Sequence, residues 1–527
     1  MQKSLSRVSL AIPFISASLL SACGGGGGSS SAPAIVSAAQ ACANLSGKKI
    51  GAAVVSSATI VEANNSIPRY CRVSATIAPT LDVELEIPDN WNGKMLYIGG
   101  GGYDGAINDP AVWQSVLSPG NISKGYVLVM SNGGHRGSAV DASFAADPSL
   151  AALFGSGSVP TTAQTAKEMI SVAMGKGPER SYFEGCSNGG REGLMAVQRD
   201  PLLFDGVIAR APAHNWTGQI AGAFNRNAKA VSAAGGAMPA DKVALLAKAV
   251  RSSCDGADGV IDGIVSDPEG CHFDPMSLRC PNGGEGASCL SDAQLAVVSA
   301  WTQASSFGGG AYTHAGWALT GNEDDAGGWA LWLTGATGDG GNSLQFLFQD
   351  TTIKNYLAVG GAANSLAYDI DSNPSALRGL AGLNDATNSN LAPFANSGAK
   401  LILWHGTSDA ALSYKQTVSH YMRVKDAMGG QADADKFMRF YLAPGVNHCN
   451  GGVGADSVDL VTALDKWVSE GAGPGALVAT KRNPDGSEAL SRPICVYPQY
   501  PRYTGPSNDV NAATKAANYS CTTPAGS

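Results

Sequence analysis

Gly185-Cys186-Ser187-Asn188-Gly189 follows the run Ser181-Tyr182-Phe183-Glu184 and precedes Arg191 to Gln198. The first flank reads as a short buried strand and the second as a helix. A serine between small residues at a strand–turn–helix corner is pushed out of its sheet by a strained turn, which is how an exposed nucleophile is held. In a chain with 67 glycines the bare G-x-S-x-G carries little weight, so its setting matters. Outward from this corner the same alternation continues. Leu81 to Ile87 alternates with period two. Met95 to Ile98 and Tyr126 to Met130 read as buried strands, and Thr161 to Met174 reads as a helix. Gly206 to Ala209, Lys400 to Trp404 and Phe437 to Leu442 read as further strands. Strands alternating with helices predict an α/β fold around a parallel sheet.

The stretch from about Asn215 to Gly398 breaks the alternation. It is rich in Ala, Gly, Asp and Trp, and its apolar runs are mainly helical. A structureless loop of that length is uncommon, so the reading is an inserted lid between sheet strands. Composition excludes several classes. With 527 residues, 44% hydrophobic and only 15% charged, the chain has enough apolar surface for large cores. Its net charge of -8 offers no basic surplus, so nucleic acid is not an expected partner.

Residues 1–22 read as an export signal. Lys3 and Arg7 precede the apolar run Leu10 to Leu20, which is too short to span a bilayer. Leu20-Ser21-Ala22-Cys23 resembles a bacterial lipoprotein processing site, with Cys23 as the lipidated residue and 23–38 as a Gly/Ser tether. The expected location is an exported, lipid-anchored protein of the outer membrane or cell surface, the alternative being periplasmic or secreted. The membrane would be a partner only through that anchor. Setting Cys23 aside leaves ten of the 11 cysteines, an even number that suits a disulfide framework in an oxidising compartment. Sequence does not fix the pairing. Proximity favours Cys42 with Cys71, Cys254 with Cys271, Cys280 with Cys289 and Cys495 with Cys521, leaving Cys186 and Cys449.

A serine hydroxyl needs a base, and the base needs an orienting acid. On this kind of corner the partners follow in the order Ser, acid, His. Asp409 lies just past the strand Leu401 to Trp404, and His448 follows the next strand in Pro444-Gly445-Val446-Asn447-His448-Cys449. The two leftover cysteines flank the candidates, Cys186 before Ser187 and Cys449 after His448. A bond between them would bring Cα atoms to about 5–6 Å and seat the base near the nucleophile. An oxyanion hole needs aimed backbone N–H groups. Asn188 and Gly101, in the run Gly99 to Gly102, are the expected donors.

These residues resemble the tannase and feruloyl esterase family. The resemblance rests on Gly185 to Gly193, Phe204 to Ile208 with Ala211-Pro212-Ala213, His405-Gly406 with Asp409, His448-Cys449, and Arg492-Pro493-Ile494-Cys495 with Tyr497-Pro498. It covers roughly Cys42 to Cys521. It implies an α/β-hydrolase core in two parts, 39–214 and 400–527, with a lid at 215–399. It further implies a Ser187–Asp409–His448 triad above a Cys186–Cys449 disulfide.

Cys254-Asp255-Gly256-Ala257-Asp258-Gly259-Val260-Ile261-Asp262-Gly263-Ile264 places three carboxylates at close spacing, which suits a hard cation. The resemblance implies a structural calcium loop, with side chains of Asp255, Asp258 and Asp262 and carbonyls of Val260 and Ile264.

By the same resemblance the activity would be hydrolysis of aromatic-acid esters, feruloyl or gallate in type, through an acyl-enzyme. Two alternatives stand beside it: a hydrolase of mono-hydroxyethyl-terephthalate, or a non-catalytic surface binding lipoprotein of the same fold. A terephthalate monoester carries a carboxylate, yet no Lys or Arg occurs between Arg279 and Lys354. Arg226 or Arg378 would have to reach in. His405, Trp329 and Trp332 are the expected pocket residues.

Overall fold

The computed structural model describes residues 36–64, 67–107, 116–358, 364–507 and 509–524. The expected export signal, Cys23 and the tether up to residue 35 lie outside the described residues. In chain order, α1 (Ala38–Leu45) precedes β1 (Lys49–Ile50), β2 (Ala53–Val61), β3 (Tyr70–Ile77), β4 (Leu81–Pro88), β5 (Lys94–Ile98) and β6 (Val127–Ser131). Then come α2 (Ser158–Met174), β7 (Arg180–Cys186), α3 (Asn188–Arg199) and β8 (Gly206–Arg210). The next stretch carries α4 (Phe224–Ser232), α5 (Ala240–Cys254), α6 (Asp292–Thr302), the short strands β9 (Ser305–Phe307) and β10 (Tyr312–His314), α7 (Leu344–Thr352) and α8 (Pro374–Asn384). The chain rejoins the sheet at β11 (Lys400–Gly406), α9 (Tyr414–Ala427), β12 (Met438–Ala443) and α10 (Leu460–Glu470).

One ten-stranded sheet runs in the order β1-β2-β3-β4-β6-β5-β7-β8-β11-β12. From β6 through β12 its strands pair in parallel. The first four strands pair antiparallel, and β4 meets β6 antiparallel. The sheet is therefore mixed, where the alternation had predicted a parallel one. Short connections such as Ala78 to Thr80 return the chain directly to a neighbour, and only antiparallel pairing tolerates so short a return.

Side-chain alternation builds a core on each face of the sheet. Met95, Tyr97, Val127, Val129, Phe183, Leu401 and Leu403 pack on one face with α1 and α2 residues such as Leu45, Met169 and Ile170. Leu96, Ile98, Leu128, Met130, Tyr182, Ile402 and Trp404 pack on the other with Leu460, Val461, Leu464 and Trp467 of α10. Covered on both sides, β6 is buried at every position, so it reads as a continuous apolar run. β8 and β11 are adjacent parallel partners, yet almost two hundred residues separate them, and β9 and β10 pair only with each other. That insertion has its own core, in which Trp216, Phe224, Val250, Val298, Trp301, Trp317, Trp329 and Phe348 pack together.

The carboxyl ends of β7 and β8 are tied by a buried ion pair. Arg210 Nη2 lies 2.8 Å from Glu184 Oε1 with side-chain exposures of 1% and 0%. Arg210 also donates to Val458 O at 3.0 Å, and Ser118 Oγ donates to Glu184 Oε1 at 2.8 Å. Removing one partner strands a charge in the core, so Arg210→Ala is expected to destabilise by about 3–5 kcal/mol. A thermal midpoint unchanged from wild type would contradict this.

Candidate active site

Ser187 occupies the single residue between β7 and α3, with φ 64° and ψ −123°. An L-residue at positive φ is strained and persists only where its surroundings over-determine it. Here its N–H donates to Arg210 O at 3.0 Å, and its carbonyl accepts from Arg191 N and Ala213 N, each at 3.1 Å. The flanking glycines are required by close approach. A Cβ on Gly185 would lie 2.6 Å from the Gly189 carbonyl, and one on Gly189 would lie 2.7 Å from Gly100 O. α3 therefore starts hard against the loop after β5, which a larger residue would prevent.

Asp409 follows β11 and is fully buried. Its Oδ1 accepts from the amides of Ala411 and Leu412, both at 2.8 Å. Its Oδ2 accepts from His448 Nδ1 at 2.7 Å and from His405 Nε2 at 3.1 Å. Burial opposes the charge, but the His448 imidazole and the His405 hydrogen bond outweigh it and hold the carboxyl well below its ordinary range. With Nδ1–H committed to Asp409, His448 presents Nε2 as a proton acceptor. His405 Nε2 also faces Leu412 O at 3.0 Å, so it donates, and Thr417 Oγ1 donates to its Nδ1 at 2.9 Å. His405 is thus a buried brace for the acid, and it does not line the cavity at Ser187.

All five expected disulfides form. Cys186 and Cys449, 263 residues apart in sequence, have Cα atoms 6.0 Å apart. Cys449, like Ser187, has positive φ, at 68°. The bond therefore joins two strained corners and brings the residue before Ser187 to the residue after His448.

A cavity opens at Ser187. Ser187, Asn188 and Gly102 form its polar end, and Ala213, Trp216, Ile220, Phe224, Trp332, Phe348, Ala411 and Leu412 form apolar walls. Trp332 meets the His448 ring edge-on, with centroids 5.1 Å apart. Trp329 is placed elsewhere. It packs against Trp301, centroids 5.1 Å apart, and borders a separate small cavity that Asp409 also lines. Asn188 is the first residue of α3, so its N–H has no acceptor inside the helix. Gly102, with φ 58°, lines the cavity, and the expected donor Gly101 precedes it. No lysine or arginine is among the described residues that line this cavity. Arg226 is engaged with the carbonyls of Ala300 and Gln303, and Arg378 is exposed on α8.

In the acidic loop, Asp255 accepts from Asp262 N at 3.2 Å and Gly263 N at 2.8 Å. Asp258 Oδ1 accepts from Val260 N at 3.2 Å, while its Oδ2 is buried with no partner. Asp262 pairs with Arg492. Burial raises Asp255 and pushes Asp258 up to about 6. Among the described residues no three acidic, His or Cys side chains converge into a ready-made cage. The hard oxygen donors and the orphaned Asp258 oxygen nonetheless fit a cation such as calcium.

Sequence reading missed most of the walls. Trp216, Ile220 and Phe224 lie just after β8, and Phe348 lies on α7, where nothing local distinguishes a cavity wall from a core residue. Ala411 and Leu412 were findable, because a carboxylate at a strand end commonly accepts from the amides two and three residues on.

Comparison with known proteins adds a family. A model described as tannase and feruloyl esterase matches residues 65–522. The mono(2-hydroxyethyl) terephthalate hydrolase of Piscinibacter sakaiensis is 30% identical, with 87% of this chain and 86% of that protein covered. Feruloyl esterase B of Aspergillus niger is 28% identical over 88% of this chain and 89% of its own length. The crystal structure of feruloyl esterase B from Aspergillus oryzae superposes with a TM-score of 0.78 at 23% identity, covering 92% of this chain and all of that one, a likeness of fold.

The state of Asp409 sets a pH dependence. A carboxyl whose folded pKa lies below its unfolded value contributes stability above the unfolded value, about pH 4, and loses it as pH falls toward the folded one. Asp409→Asn is therefore expected to flatten the decline of the thermal midpoint between about pH 4 and pH 2. Parallel wild-type and variant curves over that range would refute it.

Proposed function

Because the chain belongs to the tannase and feruloyl esterase family, an α/β-hydrolase-type fold of carboxylic ester hydrolases, we propose that it cleaves esters of aromatic acids with Ser187 as nucleophile, His448 as base and Asp409 as orienting acid. One observation carries the assignment. His448 is bonded through Nδ1 to the buried carboxyl of Asp409, while its neighbour Cys449 is bonded to the residue before Ser187.

His448 Nε2 takes the Ser187 proton as Oγ attacks the ester carbonyl. Asp409 holds the imidazole in that tautomer and stabilises its charged form. Backbone amides at Asn188 and in the Gly101–Gly102 segment receive the oxyanion. The protonated His448 then gives its proton to the leaving alcohol, and water releases the acid from Ser187 by the same route in reverse.

The acyl group is inferred from the walls. Trp216, Phe224, Trp332 and Phe348 offer apolar aromatic walls, and among the described residues the lining carries no cation for a substrate carboxylate. This favours feruloyl- or gallate-type esters over a terephthalate monoester, although a relative is named for hydrolysing the latter.

Calcium is proposed as a structural ligand in the acidic loop, held by Asp255, Asp258 and Asp262 with carbonyls of Val260 and Ile264. It would supply charge neutralisation to that loop and no chemistry at Ser187. The five disulfides support a location outside the reducing cytoplasm, and a lipid anchor at Cys23 is proposed on the residues around it.

Three measurements test these readings. Ser187→Ala is expected to lower kcat by about 10⁴ or more on methyl ferulate and methyl gallate, and a variant within tenfold of wild type would end the assignment. On the wild type, kcat/KM for the better of those esters should exceed that for mono-hydroxyethyl-terephthalate by about tenfold or more; the reverse order would favour a carboxylate-binding pocket. Chelator treatment should lower the thermal midpoint reversibly, with added calcium restoring it, and no shift would remove the metal.

A further inference from the structure

Behind the nucleophile lies a polar cluster that the reaction as written does not use. Asp104, Asn188, Arg191 and Glu192 are all buried, the least so being Asp104 at 5% exposure. They join two segments, the loop after β5 and the first turn of α3. Asn188 Nδ2 donates to Asp104 Oδ1 at 2.6 Å and to Glu192 Oε1 at 3.3 Å. Asn188 Oδ1 accepts from Arg191 Nε at 2.7 Å. Glu192 Oε2 accepts from Gly100 N at 3.0 Å, and Gly100 O accepts from Gly189 N at 3.0 Å. Asp104 N–H closes its own turn onto Gly101 O at 2.9 Å. The two backbone segments assigned to the oxyanion are therefore held together by these side chains.

The charges do not balance if every group is ionised. Two carboxyls share one guanidinium, and Arg191 also donates from Nη1 to Gly155 O and from Nη2 to Phe154 O. Asp104 Oδ2 is buried and no donor reaches it, and Cβ atoms on Gly100 and Gly133 would lie 2.3 Å and 2.5 Å from it, so backbone closes over that oxygen. An unpaired negative charge there would be costly, and it would oppose the negative charge that the oxyanion donors must accept.

We propose that Asp104 is a positioning residue for ester hydrolysis: it remains a neutral carboxylic acid, donates its proton to the Glu192 carboxylate, and with Glu192 and Asn188 fixes the oxyanion amides without placing a second negative charge beneath them. Burial and the adjacent Glu192 both favour that neutral form, against Arg191 and Asn188. From β5, Tyr97 faces both carboxyls as a neutral phenol. His135, bonded to Tyr103 O, is kept neutral by burial. Tyr356 and Arg199 face Arg191, and Arg199 is engaged with Ser156 and Gly382. No second cation reaches Asp104 among these neighbours.

The inference rests on the Ser187 reading for its role in turnover, but not for its protonation state. Asparagine mimics the neutral acid, since its amide can donate to Glu192 while its carbonyl accepts from Asn188. Asp104→Ala should lower kcat by about ten- to a hundredfold with KM within about threefold, and Asp104→Asn should recover about tenfold or more of that loss. An Asn variant as slow as the Ala variant, or an Ala variant as fast as wild type, overturns the proposal. Infrared difference spectra at neutral pH, wild type minus Asp104→Asn on the full oxidised chain, should show a protonated-carboxyl stretch. Its absence overturns the proposal even if the Ala variant fails to fold. Ser187→Ala should keep that band, so a band retained alongside undiminished turnover would indict the nucleophile and spare the carboxyl pair.

Discussion

The site depends on a covalent constraint between two strained corners. β7 ends at Cys186 and β12 ends near Cys449, and on the sheet two strands, β8 and β11, lie between them. Parallel pairing puts both loops at one edge of the sheet, but two strands keep them apart. The disulfide joins them, across a separation of 263 residues. In the loop-entropy model a closure of that length stabilises by about 5 kcal/mol. Its larger consequence is positional. Ser187 and Cys449 both sit at positive φ; Cys449 is one end of the crosslink, and Ser187 follows the other. His448, one residue from it, is left with little freedom beyond its ring orientation, which Asp409 and the edge of Trp332 then determine.

Environment sorts the buried carboxyls into opposite states. Asp409 receives four hydrogen bonds, two from backbone amides and two from imidazoles, and stays charged although it is buried. Asp104 receives one bond, from an amide side chain, and sits beside another carboxyl. A charged acid is what an imidazolium needs next to it. A neutral acid is what an oxyanion tolerates beneath it. The same residue type does both jobs because donors are supplied in one place and withheld in the other.

Much of this was legible from sequence, for identifiable reasons. β4, β5, β6, β7, β8 and β11 announced themselves because double-sided burial or strict alternation leaves a strong pattern, and their ends fell within a few residues. The first strands of the sheet were seen less clearly, and their antiparallel pairing not at all, since β2 is partly exposed and polar. Ser187, Asp409, His448 and the Cys186–Cys449 pair were legible because chain order and neighbouring cysteines are local signals. The side chains that support them were not. Asp104 looks like a turn residue in a glycine-rich loop, and His405 reads equally well as a wall or a brace until Thr417 and Leu412 are seen around it. Trp329 and Trp332 are three apart on one helical turn, yet one faces the triad and the other packs on Trp301. Periodicity cannot distinguish them, because both are buried.

The insertion explains how one reaction centre can serve different esters. The groups proposed to break the bond come from the sheet and its loops, after β7, β11 and β12. Most of the apolar walls, Trp216 through Phe348, come from the inserted segment, which contributes no strand to the main sheet. Substitutions there change the slot without disturbing the Asp409–His448 bond or the disulfide. Relatives 30% and 28% identical to this chain are named for different acyl groups, a terephthalate monoester and a feruloyl ester. For this chain the proposed preference rests on one property of the slot: among the described residues that line it there is no lysine or arginine. A buried substrate carboxylate would go unpaired there, and leaving a charge unpaired costs more than an aromatic wall recovers.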